Sequence, residues 1–217
     1  MERTAAHIWP ALLDGLATTM TISLPALLFG APLALLLAAA ARGGRWTRIP
    51  AGLYLSFWRG TPILVQLLIT FYILPFLGLE LEPIVAATLA LALNTAAFQS
   101  EIYRAGLQAI PKGEIEAATM LGLTPFAIFL NIEAPQAMRA MLPALVGEMQ
   151  ALVKNSSLVS VIAVTDLTRR AQQVASSTFR PLDAYASALV LYVTVGILIA
   201  ALGLMIERRL SRRGQNS

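Results

Sequence analysis

From Gly15 to Ala41 the chain runs for roughly 27 residues without one charged side chain, and about 20 apolar residues in helix suffice to cross the hydrocarbon core of a bilayer. The stretch therefore reads as a membrane span with some tilt. Its Ala38-Ala39-Ala40-Ala41 end has the small residues of a leader-peptide cleavage site. The run is nevertheless far longer than the about 7–15 apolar residues of a leader core, and the segment before it lacks a clear positive bias, so it is read as a retained first span. Composition agrees: 57% of the residues are hydrophobic and 13% charged, against about 25% charged in an average soluble protein. The expectation is an all-α integral membrane protein, a single transmembrane domain over residues 1–217. Zero cysteines and a lone histidine, His7, exclude disulfide frameworks and cysteine or histidine metal sites. The arginines cluster beside spans and form no basic stripe, which argues against nucleic-acid binding.

Basic residues set orientation in membrane proteins. Arg42, Arg45 and Arg48 follow the first span with nothing acidic between them, so this loop is expected in the cytoplasm and the N-terminus outside. The second span, 51–77, starts irregularly with Trp58-Arg59-Gly60-Thr61-Pro62. Pro62 clashes with the Trp58 carbonyl and cannot donate to it, so the helix kinks or begins anew there. From Pro62 to Leu77 is about 24 Å of helix, short for a crossing, and part of the preceding turn must lie in or at the membrane. Arg59 and Trp58 could anchor the helix at the headgroups. Glu80 and Glu82 suit an outside turn, and Pro83 opens the third span, 83–109. Asn94, Phe98 and Glu101 share one face of it. Glu101 can pair with Arg104 at i, i+3 and snorkel to water, whereas Asn94 lies deeper and needs a partner in the bundle or a wet cavity.

The fourth span, 135–153, carries Pro143, which should kink it, and Glu148. Lys154-Asn155-Ser156-Ser157 then interrupts an apolar region. Either this is an outer-surface turn, or it is a broken helix lining a cavity at membrane depth, which is where a translocation path is expected. Residues 165–183 are net basic yet fall outside by this topology. The fifth span, 185–206, is followed by Arg208, Arg209, Arg212 and Arg213, and these keep the C-terminus in the cytoplasm. Gly196, Ala200 and Gly203 make a small-residue face on that span, suited to helix packing.

Between the third and fourth spans, residues 110–135 read IPKGEIEAATMLGLTPFAIFLNIEAP. Pro111 suits a first helical turn, Glu114 and Glu116 complement its dipole, Gly122 is a C-terminal stop, and Thr124-Pro125 caps and opens a second short helix. Glu116-Ala117-Ala118, then Gly122, then Ile132-Glu133-Ala134-Pro135 resembles the EAA loop of ABC-importer permeases, with Ala134 departing from the usual leucine. Arg59-Gly60-Thr61-Pro62 followed by Gln66 resembles a stretch of the permeases for polar amino acids, and Ala96–Ile110 is similar to that family's third span. The resemblance implies the type I importer fold, with 110–135 as a cytoplasmic coupling helix that docks an ATPase through Glu116, Ala117, Ala118, Gly122, Ile132 and Pro135. It implies a second permease subunit, identical or homologous, two ATPase subunits that bind ATP and Mg, and an extracytoplasmic solute-binding protein. The location is then the bacterial cytoplasmic membrane. Arg59, Thr61, Gln66, Asn94, Glu101, Glu148, Lys154, Asn155 and Ser156 are the candidates for the path of an amino-acid-like solute.

No phosphate-cradling G-x-x-x-x-G-K-[ST] is present, since the only lysines are Lys112 and Lys154 and neither follows a glycine. No metalloprotease or serine-hydrolase motif is present either. The chain is thus expected to be a transport subunit and no enzyme, with no cofactor of its own. The alternative is a secondary transporter or small channel without an ATPase, but no second half resembles the first.

Overall fold

The computed structural model describes residues 2–214, and side chains over 8–210; the side chains of His7, Arg212 and Arg213 lie outside the described residues. Every regular element among them is helical: α1 (Glu2–Arg42), α2 (Arg45–Gly60), α3 (Ile63–Tyr72), α4 (Pro83–Gln108), α5 (Lys112–Met120), α6 (Pro125–Ile128), α7 (Ala134–Asn155), α8 (Leu167–Thr178) and α9 (Pro181–Gly214). Short 3₁₀ turns follow α3 (Leu74–Leu77) and α7 (Ser156–Ile162), and a π turn (Phe129–Glu133) joins α6 to α7.

Among the described residues, three helices are long and apolar enough to cross a membrane: Ile8–Arg42, Pro83–Gln108 and Pro181–Leu210. The segment Pro125–Ile162 adds a fourth when taken with α8, to which it is bent by 55°. The expected span 51–77 is two helices and a 3₁₀ turn, because the backbone at Thr61 and Pro62 is extended. α1 exceeds the expected first span at its N-terminal end. At 1.5 Å per residue, its 41 residues measure about 60 Å, well beyond the hydrocarbon thickness.

α4 is the central element, with Ala86, Ala87, Ala90, Leu91, Ala96 and Ala97 fully buried. α1 lies along it, and small residues set the distance. A Cβ added to Gly30 would stand 2.6 Å from Thr95 Cγ2 and 3.0 Å from the Ala92 carbonyl oxygen, so only glycine admits this approach. One core cluster joins Ile22 and Ala26 of α1, Leu67 of α3, Leu91 of α4, Leu152 of α7 and Ile162. A second gathers Ile8 and Leu12 of α1, Leu167 and Ala171 of α8, and Ala184 and Ala188 of α9. The extra turns of α1 are what build this second cluster.

The outward faces are apolar too. Leu24, Leu28, Phe29, Leu35 and Leu36 of α1 are exposed, as are Leu189, Val193, Ile197, Leu198 and Leu202 of α9. Only 6% of the most apolar window of α9 is buried. Such continuous apolar surface is what a lipid-facing protein presents, and it far exceeds the patches of soluble monomers.

Candidate functional site

The first polar centre grows from Pro62. Having no N–H, Pro62 leaves the Trp58 carbonyl without its i+4 donor. Gln66, on the first turn of α3 and fully buried, turns back to fill the gap. Its Nε2 lies 2.8 Å from the Trp58 oxygen, 3.1 Å from the Thr61 carbonyl and 2.8 Å from Thr61 Oγ1. Asn94 of α4, the deep residue that required a partner, donates from Nδ2 to Gln66 Oε1 at 2.8 Å and to the Trp58 oxygen at 3.3 Å. Thr61, Gln66 and Asn94 therefore form one clamp that joins the broken second span to the central helix. Tyr54 adds a second tie, donating to the Leu93 carbonyl at 2.7 Å.

A second polar line runs along α4. Thr95 Oγ1 donates to Glu148 Oε1 of α7 at 2.7 Å, Gln99 Nε2 donates to Thr95 Oγ1 at 3.3 Å, and Tyr103 donates to Gln99 Oε1 at 3.0 Å. Spacing alone did not single out Thr95 or Tyr103. Their signal was the i, i+4, i+8 step Thr95-Gln99-Tyr103, which an apolar α4 face would not carry. One turn away Glu101 bridges two cations, Arg59 at 3.4 Å and Arg104 at 3.3 Å. The Arg59 guanidinium also stands 5.8 Å from the Phe98 ring centre. Arg59, Phe98, Glu101, Met141, Ala144 and Glu148 line a groove of about 460 Å³ between α4 and α7.

Lys154, Asn155 and Ser156 do not join this groove. Ser156 is buried and donates to the Val153 carbonyl at 2.7 Å, Asn155 is half-buried, and Lys154 is exposed. Lys154 lines a separate, largely apolar cavity of about 520 Å³ between α7 and α9 with Gln150, Tyr192 and Gly196. Gln150 donates to the Gly196 carbonyl at 2.9 Å, where a small residue leaves the backbone open.

The hairpin between α4 and α7 follows its caps. Gly122 adopts φ +78°, the left-handed region that a Cβ disfavours. Thr124 Oγ1 accepts from the Ala127 N–H at 3.3 Å. Gln136 of α7 hydrogen-bonds Glu114 of α5, tying the hairpin to the helix that follows. Glu116, Ala117 and Gly122 are exposed, and Ile132 and Pro135 are half-buried. Ala118 is turned inward, only 3% exposed, and the outward apolar face belongs to Met120 (89%), Leu121 (82%) and Phe126 (71%).

α8 is held by its cap and by its neighbours. Asp166 is buried and accepts from the Thr168 N–H at 3.1 Å and the Arg169 N–H at 2.9 Å. Burial pushes this carboxyl above its ordinary value, and the two N–H donors oppose the shift. Arg170 pairs with Asp14 of α1, and Thr19 Oγ1 accepts from the Leu167 N–H at 3.2 Å.

Residues 30–212 match the family of binding-protein-dependent transport system inner membrane components. The chain belongs to this family. The permease is 36% identical over 209 residues to the L-cystine transport system permease protein TcyB of Bacillus subtilis, covering 94% of this chain and 88% of the relative. It is 37% identical to the arginine transport system permease protein ArtQ of the same organism, covering 93% of each. It is 38% identical to the octopine transport system permease protein OccM of Rhizobium meliloti, covering 94% and 89%. A solved amino acid ABC transporter with histidines superposes at TM-score 0.86 with 34% identity, covering 92% of this permease and 94% of that chain. The MetNI methionine ABC transporter shares the fold, at TM-score 0.70 and 21% identity over 97% and 99%. This is an inner-membrane permease subunit of an ABC importer, a transport component.

Proposed function

We propose that this permease imports amino acids or closely related small polar solutes, driven by ATPase subunits docked on the 110–135 hairpin. The relatives named for cystine, arginine and octopine support the solute class. The groove between α4 and α7 has the chemistry for it, with Arg59 to meet a carboxylate and Glu101 and Glu148 to meet an ammonium group. The topology proposed is five spans, N-terminus outside and C-terminus cytoplasmic, with α2–α3 forming the second span. Residues 165–183 carry three arginines and two aspartates. Asp14, paired with Arg170, supplies the missing negative charge there, which removes the objection that a net basic segment raises against an outside position. A second permease subunit, identical or homologous, would cover the bare apolar length of α9.

The observation that carries the coupling role is the hairpin's shape. A caps-and-glycine turn fixes it rigidly while Met120, Leu121 and Phe126 stay exposed beside the charged Glu116. Nucleotide-driven movement of the ATPase pair would displace this rigid handle, and the π turn carries the displacement directly into α7 and the groove. Such coupling requires a two-state element whose equilibrium the docked partner biases. The test is Met120→Asp with Leu121→Asp. The double variant is expected to insert normally, to lose the co-purifying ATPase and to lose ATP-driven uptake. Full ATP-driven uptake would overturn the docking role.

A further inference from the structure

α2 has a side that nothing in the permease uses. Ala51 and Leu55 are its buried residues, whereas Trp46, Ile49, Leu53 and Phe57 project outward at helical spacing, with Trp46 92% exposed. Arg42, Arg45 and Arg48 are exposed at the near end. Residues 42–60 contain no carboxylate, and none of these three arginines forms an ion pair among the described residues. Arg45 and Arg48 head a groove of about 560 Å³ that continues along Ile49, Gly52, Leu53 and Ser56. The groove is open at Gly52, where an added Cβ would meet nothing within 4 Å. Cations at one end and an apolar trough beyond them, beside an aromatic ring suited to the interface, match a two-part ligand with an anionic head and an acyl chain.

We propose that this groove binds an anionic phospholipid of the cytoplasmic leaflet, its phosphate held by Arg45 and Arg48 and one acyl chain laid along Ile49, Gly52 and Leu53. Charge complementarity selects the lipid: juxtamembrane arginines free of carboxylates attract anionic headgroups, and guanidinium groups bind phosphate with two parallel N–H donors. The leaflet rests on the topology proposed above. A lipid there would brace the helix that ends at Arg59, hence the Arg59–Glu101 pair and the α4–α7 groove.

The permease–ATPase complex is to be examined by native mass spectrometry after release from bilayers of phosphatidylethanolamine with phosphatidylglycerol. Wild type should retain phosphatidylglycerol. Arg45→Gln with Arg48→Gln, and separately Gly52→Trp, should retain several-fold less, while Arg45→Lys with Arg48→Lys should retain it. ATP-driven uptake should rise on adding phosphatidylglycerol to wild type and stay flat in the glutamine variant. Equal retention by wild type and the glutamine variant overturns the proposal. So does loss of a protein subunit in place of lipid, which would make the face a protein interface. An impermeant thiol reagent acting on a cysteine placed at Gly44 reads the leaflet separately, and labelling from the outside overturns the leaflet alone.

Discussion

At Pro62 the backbone loses a donor, and the repair comes from a side chain four residues later and another on a different helix. The break was legible from proline chemistry alone. The repair was not, because nothing in the spacing from Gln66 to Asn94 says that α3 and α4 meet there. Gln66 and Asn94, candidates for the solute path, make hydrogen bonds to each other and to the helix break. Gln66→Leu should leave the Trp58 carbonyl and the Asn94 amide with only the 3.3 Å bond between them, and the lost bonds at this buried site should cost about 1–3 kcal/mol. Thermal unfolding in detergent would read this loss, and an unchanged midpoint would show that the clamp carries no weight. Asp166 supports a prediction with a pH sign. Its carboxyl is raised in the folded state, so the fold binds that proton more readily than the unfolded chain. Its contribution to stability therefore falls as pH rises from the ordinary carboxylate value, 3.8, through the raised one. Asp166→Asn should flatten that part of the stability-against-pH curve, measured by unfolding across the range.

The 110–135 hairpin was the most legible element, since each cap is a local signal: Gly122 and Thr124 sit where their backbone chemistry requires, and Pro111, expected in the first turn, stands one residue earlier as the extended N-cap of α5. Which side of it faces outward was not legible. Ala118 belongs to the small-residue motif yet turns inward, and Met120 and Leu121 turn outward, because a nine-residue helix gives too few turns for its stripe to be unambiguous. α1 begins before the expected span start at Gly15. The charge of Asp14 is answered by Arg170 on α8, a contact 156 residues away in sequence, so the helix continues past it. Close packing of α1 on α4 gives an element-scale prediction. Gly30→Val must push against Thr95 and the Ala92 carbonyl, and overpacking of this kind costs about 1–3 kcal/mol. Lower thermal stability with normal membrane insertion is expected, and wild-type stability would show that the two helices can part without cost.

For the whole molecule, the absence of charge over 15–41 and the arginine clusters were enough to predict a helical membrane protein, and the two motifs were enough to point to the family. The arrangement of the interior was not readable, because lipid-facing and core-facing residues are equally apolar here and period alone cannot tell them apart. The outer apolar length of α9 and the groove between α4 and α7 emerge only once the helices are packed. The central claim at this scale is that the 110–135 hairpin is an inner-face handle for the ATPase. The chain has no cysteine, so single cysteines can be placed at Leu121 and at Phe76 and challenged with a membrane-impermeant thiol reagent from each side. The account predicts that Leu121→Cys labels from the cytoplasmic side only and is shielded when the ATPase is bound, while Phe76→Cys labels from outside only. Labelling of Leu121→Cys from the outside would contradict it.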